Sequence, residues 1–182
     1  MKTVQIGSHP IDVLFDEATI ADRIQAIAHE IAQDDLPRLL VVPILKGSFI
    51  FAADLMRALH QTGLTPEVDF MMLASYREQT ESSGTVDILR DIETDVRGRG
   101  VLIVDDILES GRTLAFAKDL MSARGAAAVK TCVLLDKPVR RSADIAADYV
   151  GFECPDRFVV GYGMDMAHAF RELPFVGVVT GG

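Results

Sequence analysis

VLIVDDILESGRTL, residues 101–114, decides how this chain is read. Four apolar residues run into two adjacent carboxylates, Asp105 and Asp106. A third acid, Glu109, is followed at once by Ser110-Gly111-Arg112-Thr113. The apolar run predicts a buried strand, and the residues after the bend predict a helix from about Arg112 to Ala123, ending near Gly125. In an open parallel sheet, ligands sit in the crevice beyond the carboxyl ends of the strands, which is where this acid pair must lie. Two neighbouring carboxylates can accept hydrogen bonds from the vicinal hydroxyls of a ribose. The bend opens a helix N-terminus, where backbone N–H groups and the helix dipole attract an anion. Gly111 lets the backbone approach closely, and Ser110 and Thr113 add hydroxyl donors. Diol acceptors beside an anion cradle make a ribose 5-phosphate site. An ordinary strand-to-helix turn needs only one capping residue, far less than this run supplies.

The rest of the chain is consistent with such a sheet. Its 182 residues suit one domain, and 49% hydrophobic content can build a core. EATIADRIQAIAHEIAQ places Ile20, Ile24, Ile27 and Ile31 at helical spacing, with Thr19 as expected N-cap. RLLVVPIL, EVDFMMLASY and AAVKTCVLLD read as further strands, and KGSFIFAADLMRALHQ as the helix after the first of them. Strands alternating with helices, several continuously apolar, indicate an α/β fold with an open, mostly parallel sheet flanked by helices. No repeat or linker divides the chain. The expected core spans about residues 16–136. A small C-terminal hood is expected from residues 137–182 together with the N-terminal segment.

Charge and cysteine usage narrow the setting. A net charge of −9 argues against a nucleic-acid partner, because duplex binding relies on clustered Lys and Arg. It suggests that a divalent cation helps bring phosphate near the acids. No stretch is apolar enough to span a membrane, MKTVQIGSHP lacks a signal-peptide core, and Cys132 and Cys154 form no CxxC. A cytoplasmic protein with reduced thiols is expected.

The 101–114 run closely resembles the phosphoribosyl-diphosphate-binding signature of the type I phosphoribosyltransferases. LKGSFIFAADL, SY, LLDKP, PDRFVVGYGMD and FRELP narrow the resemblance to the hypoxanthine (hypoxanthine-guanine) phosphoribosyltransferase family, in its order and approximate spacing. The match runs from about Ile44 to the C-terminus, in a chain as long as the short bacterial-type members. It implies transfer of a phosphoribosyl group to a 6-oxopurine with Mg²⁺, in a homodimer or homotetramer. Asp105 and Asp106 would hold ribose and metal, and Ser110, Gly111, Arg112 and Thr113 the 5-phosphate. Lys46, Gly47 and Arg171 would face pyrophosphate, and the Leu45–Lys46 bond can be a cis peptide in such proteins. Lys137 would donate to the exocyclic oxygen at purine position 6, with weaker support from Arg141. Phe158 would stack on the base while the backbone of Val159 reads its edge. Asp165 would sit near the metal's water shell. Ser75 and Tyr76, in SYREQTESSGTVDI (75–88), would belong to a lid. Glu109 would be the acid/base group facing purine N7. The family usually has aspartate there, so this chain keeps the carboxylate and adds a methylene. It also has Asp105 where the family often has glutamate.

Other readings fail on spacing or charge. A phospho-signalling receiver carries its acid pair near the start, whereas about 100 residues precede this one. A dinucleotide site needs GxGxxG between strand and helix, and neither Gly98-Arg99-Gly100 nor Gly161-Tyr162-Gly163 supplies it. The remaining alternative is a non-catalytic, nucleotide-sensing RNA-binding regulator on the same scaffold, which would need a basic face.

Overall fold

The computed structural model describes residues 2–75 and 85–180, and in it residues 101–114 form a strand, a bend and a helix. In chain order the elements are β1 (Thr3–Ile6), β2 (His9–Phe15), α1 (Glu17–Ile31), β3 (Leu40–Leu45), α2 (Phe49–Gln61), β4 (Glu67–Val68), β5 (Met71–Ser75), β6 (Val86–Arg90), β7 (Gly100–Leu108), α3 (Arg112–Ala123), β8 (Ala128–Asp136), β9 (Tyr149–Glu153), β10 (Val159–Val160) and β11 (Val176–Val179). A short 3-10 turn at Pro138–Arg140 follows β8.

The main sheet runs β6-β5-β3-β7-β8-β9, with β4 beside the start of β3. Every pairing is parallel except β5 with β6. Both faces are covered because side chains alternate along each strand. Val41, Leu102, Val104, Cys132 and Leu134 pack in the cluster with α1 and α2. Leu40, Val42, Ile44, Val101, Ile103 and Val133 pack with α3. The α1 stripe of Ile20, Ile24, Ile27 and Ile31 is buried as its spacing requires. Each isoleucine contributes about 1.5–3 kcal/mol by leaving water.

Several local expectations need correction. The N-cap of α1 is Asp16, whose carboxylate accepts the Thr19 N–H at 2.8 Å. EVDFMMLASY forms two strands, β4 and β5, interrupted at Asp69 and Phe70. The Asp69 carboxylate accepts the N–H groups of Phe70, Glu93 and Thr94 and the Thr94 hydroxyl. The core does not stop at residue 136, for β9 is the outer parallel strand of the main sheet, on β8. The hood is a second, antiparallel sheet in the order β1-β2-β11-β10, joining the N-terminal hairpin to the C-terminal strands. Among the described residues no helix is long and apolar enough to cross a membrane.

Chain order fixes where a ligand can enter. From β3 the chain moves outward to β5 and β6, then returns to β7 on the other side of β3 and continues to β8 and β9. The carboxyl ends of β3 and β7 therefore flank a topological switch point, where the crevice of such sheets opens.

Candidate active site

Two adjoining clefts open at that point. One, of about 520 Å³, is lined by Lys46, Gly47, Asp105, Asp106, Glu109 and the whole bend Ser110–Thr113. The other, of about 610 Å³, is lined by Lys137, Arg140, Phe158, Val159, Asp165 and Arg171. Lys46, Gly47, Asp106 and Glu109 line both, so these four stand at the junction. The aspartates and the bend thus face one space.

The strand and its neighbours aim the acids. Asp106 continues the Leu102–Val104 row toward α2, and its carboxylate lies so close to Gly47 that a Cβ there would be 1.8 Å from Oδ2. The Leu45–Lys46 peptide is cis, and Ser48 is buried with its hydroxyl donating to Ile44 O at 2.6 Å. Asp105 Oδ1 accepts the Asp106 N–H at 2.9 Å, and Asp106 Oδ1 accepts the Ile107 N–H at 2.8 Å. Gly111 caps α3 with φ of +82°, a conformation glycine adopts without strain. The N–H groups of the first turn of α3 have no partner within the helix, and apart from a long contact of 3.4 Å from the Arg112 N–H to Ser110 Oγ they face an anion's place.

Burial first, and the charge of Asp106 second, push Asp105 well above the usual carboxylate range. Burial also raises Asp106, while its hydrogen bonds and the charge of Arg171 pull the other way. The folded pair therefore keeps a proton that the unfolded chain releases, from the ordinary value near 3.8 upward. More protons bound in the native state means that this contribution to stability falls as pH rises through that window. Asp105→Asn, which retains the Oδ1 acceptor, is accordingly expected to melt at a higher temperature than the parent at pH 7. The gain should fade as pH approaches about 4; a gain independent of pH in thermal melts would contradict this origin.

At the base end, Lys137 is 5% exposed rather than a surface lysine. Its Nζ donates to Arg157 O at 2.6 Å and lies 4.0 Å from Glu109 Oε1. Arg140 Nη1 is 3.8 Å from the same oxygen, and its Nε lies 2.9 Å from Asp156 Oδ1. Phe158 is 59% exposed on the cleft, while Val159 beside it is buried. An aromatic face left open there is suited to a planar ring. Asp165 accepts from Arg171 Nη2 at 2.9 Å and from the His168 N–H at 2.7 Å. Arg171 Nη1 donates to Gly163 O at 2.6 Å.

Some expected residues lie elsewhere. Arg141 does not reach the base cleft; its guanidinium turns back onto the bend, donating to Glu109 O at 3.0 Å and Leu108 O at 3.2 Å. Ser75 ends β5, paired with Val86, and Tyr76 with most of the 75–88 segment lies outside the described residues. Sequence reasoning passed over Arg140 and Asp156. The doubled arginine after Lys137-Pro138 was the available signal.

Residues 11–167 match the family model described as phosphoribosyl transferase domain. The chain is 45% identical over 175 residues to the hypoxanthine-guanine phosphoribosyltransferase of Bacillus subtilis, covering 94% of each. It is 41% identical over 175 residues to the hypoxanthine phosphoribosyltransferase of Salmonella typhimurium, covering 94% of this chain and 97% of that one. A solved Trypanosoma cruzi hypoxanthine phosphoribosyl transferase, studied for the role of its C-terminal region in oligomeric state and activity, superposes with a TM-score of 0.90 at 36% identity. That match covers 97% of this chain and 95% of that one.

Proposed function

The chain belongs to the phosphoribosyl transferase domain family and, within it, to the hypoxanthine phosphoribosyltransferases, and from that membership we propose a residue-level account of its reaction. Hypoxanthine, and guanine as well, is joined to 5-phosphoribosyl 1-diphosphate, giving inosine (or guanosine) 5′-phosphate and pyrophosphate. The bond from ribose C1′ to the diphosphate oxygen breaks, the bond from C1′ to purine N9 forms, and the proton on N7 leaves the ring.

Asp105 and Asp106 hold the ribose hydroxyls while the bend Ser110–Thr113 grips the 5-phosphate. Lys46, Gly47 and Arg171 face the diphosphate. Phe158 stacks on the base, Val159 reads its edge through the backbone, and Glu109 receives the N7 proton. The observation that carries this account is the meeting of the two clefts at Asp106 and Glu109. A sugar phosphate in one and a base in the other would meet at the acid that handles the proton. Ser75 and Tyr76 are assigned to a lid, since a sugar developing oxocarbenium character must be kept from water.

Among the described residues no group of three or more His, Cys, Asp and Glu is placed to hold a metal. A cation therefore needs substrate oxygens, which suits Mg²⁺: it takes one or two carboxylates and completes its shell with phosphate oxygens and water. Asp105 and Asp106, a pair that burial and mutual repulsion leave short of positive charge, would hold it, with Asp165 at its water shell. When bound, it neutralises the leaving diphosphate.

Lys137 donates to the oxygen at purine position 6, and adenine, with an amino group there, leaves this buried cation with only its protein acceptor, Arg157 O. Lys137→Ala is expected to lower kcat/KM for hypoxanthine by about 10- to 100-fold, as loss of one charged hydrogen bond requires. It should also narrow the preference over adenine, which rate measurements with both bases would read. An unchanged preference would remove Lys137 from base selection.

A homodimer or homotetramer acting in the cytoplasm completes the proposal. Phe49, Phe70 and Leu89 are large apolar side chains 41–57% exposed, and both cysteines are free and buried. Incubation with Mg²⁺, phosphoribosyl diphosphate and each base in turn tests the reaction, with nucleotide expected from hypoxanthine. Filter retention of RNA without nucleotide formation would favour the regulator instead.

A further inference from the structure

Arg141 is a residue in the site region that the account above leaves without a task. We propose that it is a positioning residue that holds the phosphate bend open toward its anion. The inference rests on the transfer reading and extends it to a side chain that touches no substrate.

The carbonyls of residues 108–111, leading into and through the bend, are all engaged. Leu108 O accepts from the Lys137 N–H at 2.9 Å and from Arg141 Nη2 at 3.2 Å. Glu109 O accepts from Arg141 Nε at 3.0 Å. Ser110 O accepts the N–H groups of Ser142 and Ala143, each at 3.0 Å, and Gly111 O accepts that of Ala115 at 2.9 Å. In a trans peptide the C=O and the following N–H point opposite ways. Tying the Glu109 and Ser110 carbonyls to the 137–145 segment therefore turns the N–H groups of Ser110 and Gly111 to the other side, where the cleft lies.

One guanidinium does much of this. Arg141 also donates to Ile145 O at 2.7 Å and to the Asp136 carboxylate, so it ties the end of β8, the bend and the 137–145 segment together. The segment sits hard against the bend: a Cβ on Gly111 would lie 2.6 Å from Ile145 Cγ2 and 3.0 Å from Arg141 Cδ. Lys137 opens the same segment, so the base-reading cation and the phosphate bend share one frame. A lysine at 141 keeps charge and stem but lacks the planar fork needed to meet these acceptors together.

The test is the pair Arg141→Ala and Arg141→Lys, with steady-state kinetics and calorimetric titration by phosphoribosyl diphosphate. If a misplaced bend costs what about 1 Å of misplacement does, Arg141→Ala should weaken phosphoribosyl diphosphate binding and raise its KM by about 10- to 100-fold, with the KM for hypoxanthine within about threefold. Arg141→Lys, the milder change, should fall between and keeps the test open if the alanine variant does not fold. Equal rises in both KM values, or a lowered melting temperature with diphosphate affinity unchanged, would overturn the proposal. The titration needs no turnover, so a parent protein that binds the diphosphate yet transfers to no base would sink the transfer reading and still allow this test.

Discussion

Glu109→Gln is expected to lower turnover by about 10²- to 10⁴-fold, the usual worth of a general base, with little change in affinity for phosphoribosyl diphosphate. The substitution keeps length and shape while removing the negative charge and with it the ability to accept a proton. Glu109 lines both clefts and lies 3.8 Å from Arg140 and 4.0 Å from Lys137. These contacts aim its side chain at the base end, an arrangement in keeping with its longer arm. Single-turnover rates alongside diphosphate titration separate the two effects. A variant with parental turnover would strip Glu109 of the proton role, and one that lost diphosphate affinity instead would make it a binding group.

Gly47→Ala is expected to be nearly as damaging, for a steric reason. The new methyl would lie 1.8 Å from Asp106 Oδ2 and 2.6 Å from its carboxyl carbon. The loop cannot retreat easily, since a Cβ on Gly163 would come 2.2 Å from Gly47 O, which places the hood's backbone directly behind it. The carboxylate must therefore leave its position, and a shift of about 1 Å at a reacting centre costs on the order of 100-fold. We expect kcat/KM for phosphoribosyl diphosphate to fall by about that factor or more. Kinetics of the folded variant, its fold verified by circular dichroism, would check this. Activity within a few-fold of the parent would mean that Asp106 is not held where its role requires.

What the sequence revealed and what it hid divide along range of interaction. The strand, bend and helix of residues 101–114 were readable because each is decided locally, by an apolar run and by a glycine opening a helix. The α1 stripe was readable for the same reason. The hood's existence was readable, but its strand pairing was not, because β2 pairs with β11, some 160 residues away, and no pattern in either strand names its partner. Lys137 looks like a turn lysine until the carbonyl of Arg157 folds across its ammonium group. Arg141 has two directions open to it in the sequence, and only the packing of the 137–145 segment on the bend selects one. The contact of Gly47 with Asp106 follows from β3 lying beside β7, a fact of topology rather than composition. Asp69 shows the smaller version: where the strand is interrupted, its carboxylate satisfies backbone groups 24 and 25 residues on, contacts that no local pattern announces.

The central claim is that the end of β7 and the bend after it hold a ribose 5-phosphate. The most direct measurement is a crystal structure of the protein with inosine 5′-phosphate. The account predicts the phosphate within hydrogen-bonding distance of the N–H groups of residues 110–113, the ribose hydroxyls on Asp105 and Asp106, and the base between Phe158 and Lys137. A nucleotide bound with its phosphate away from that bend, or its ribose away from those aspartates, would contradict it.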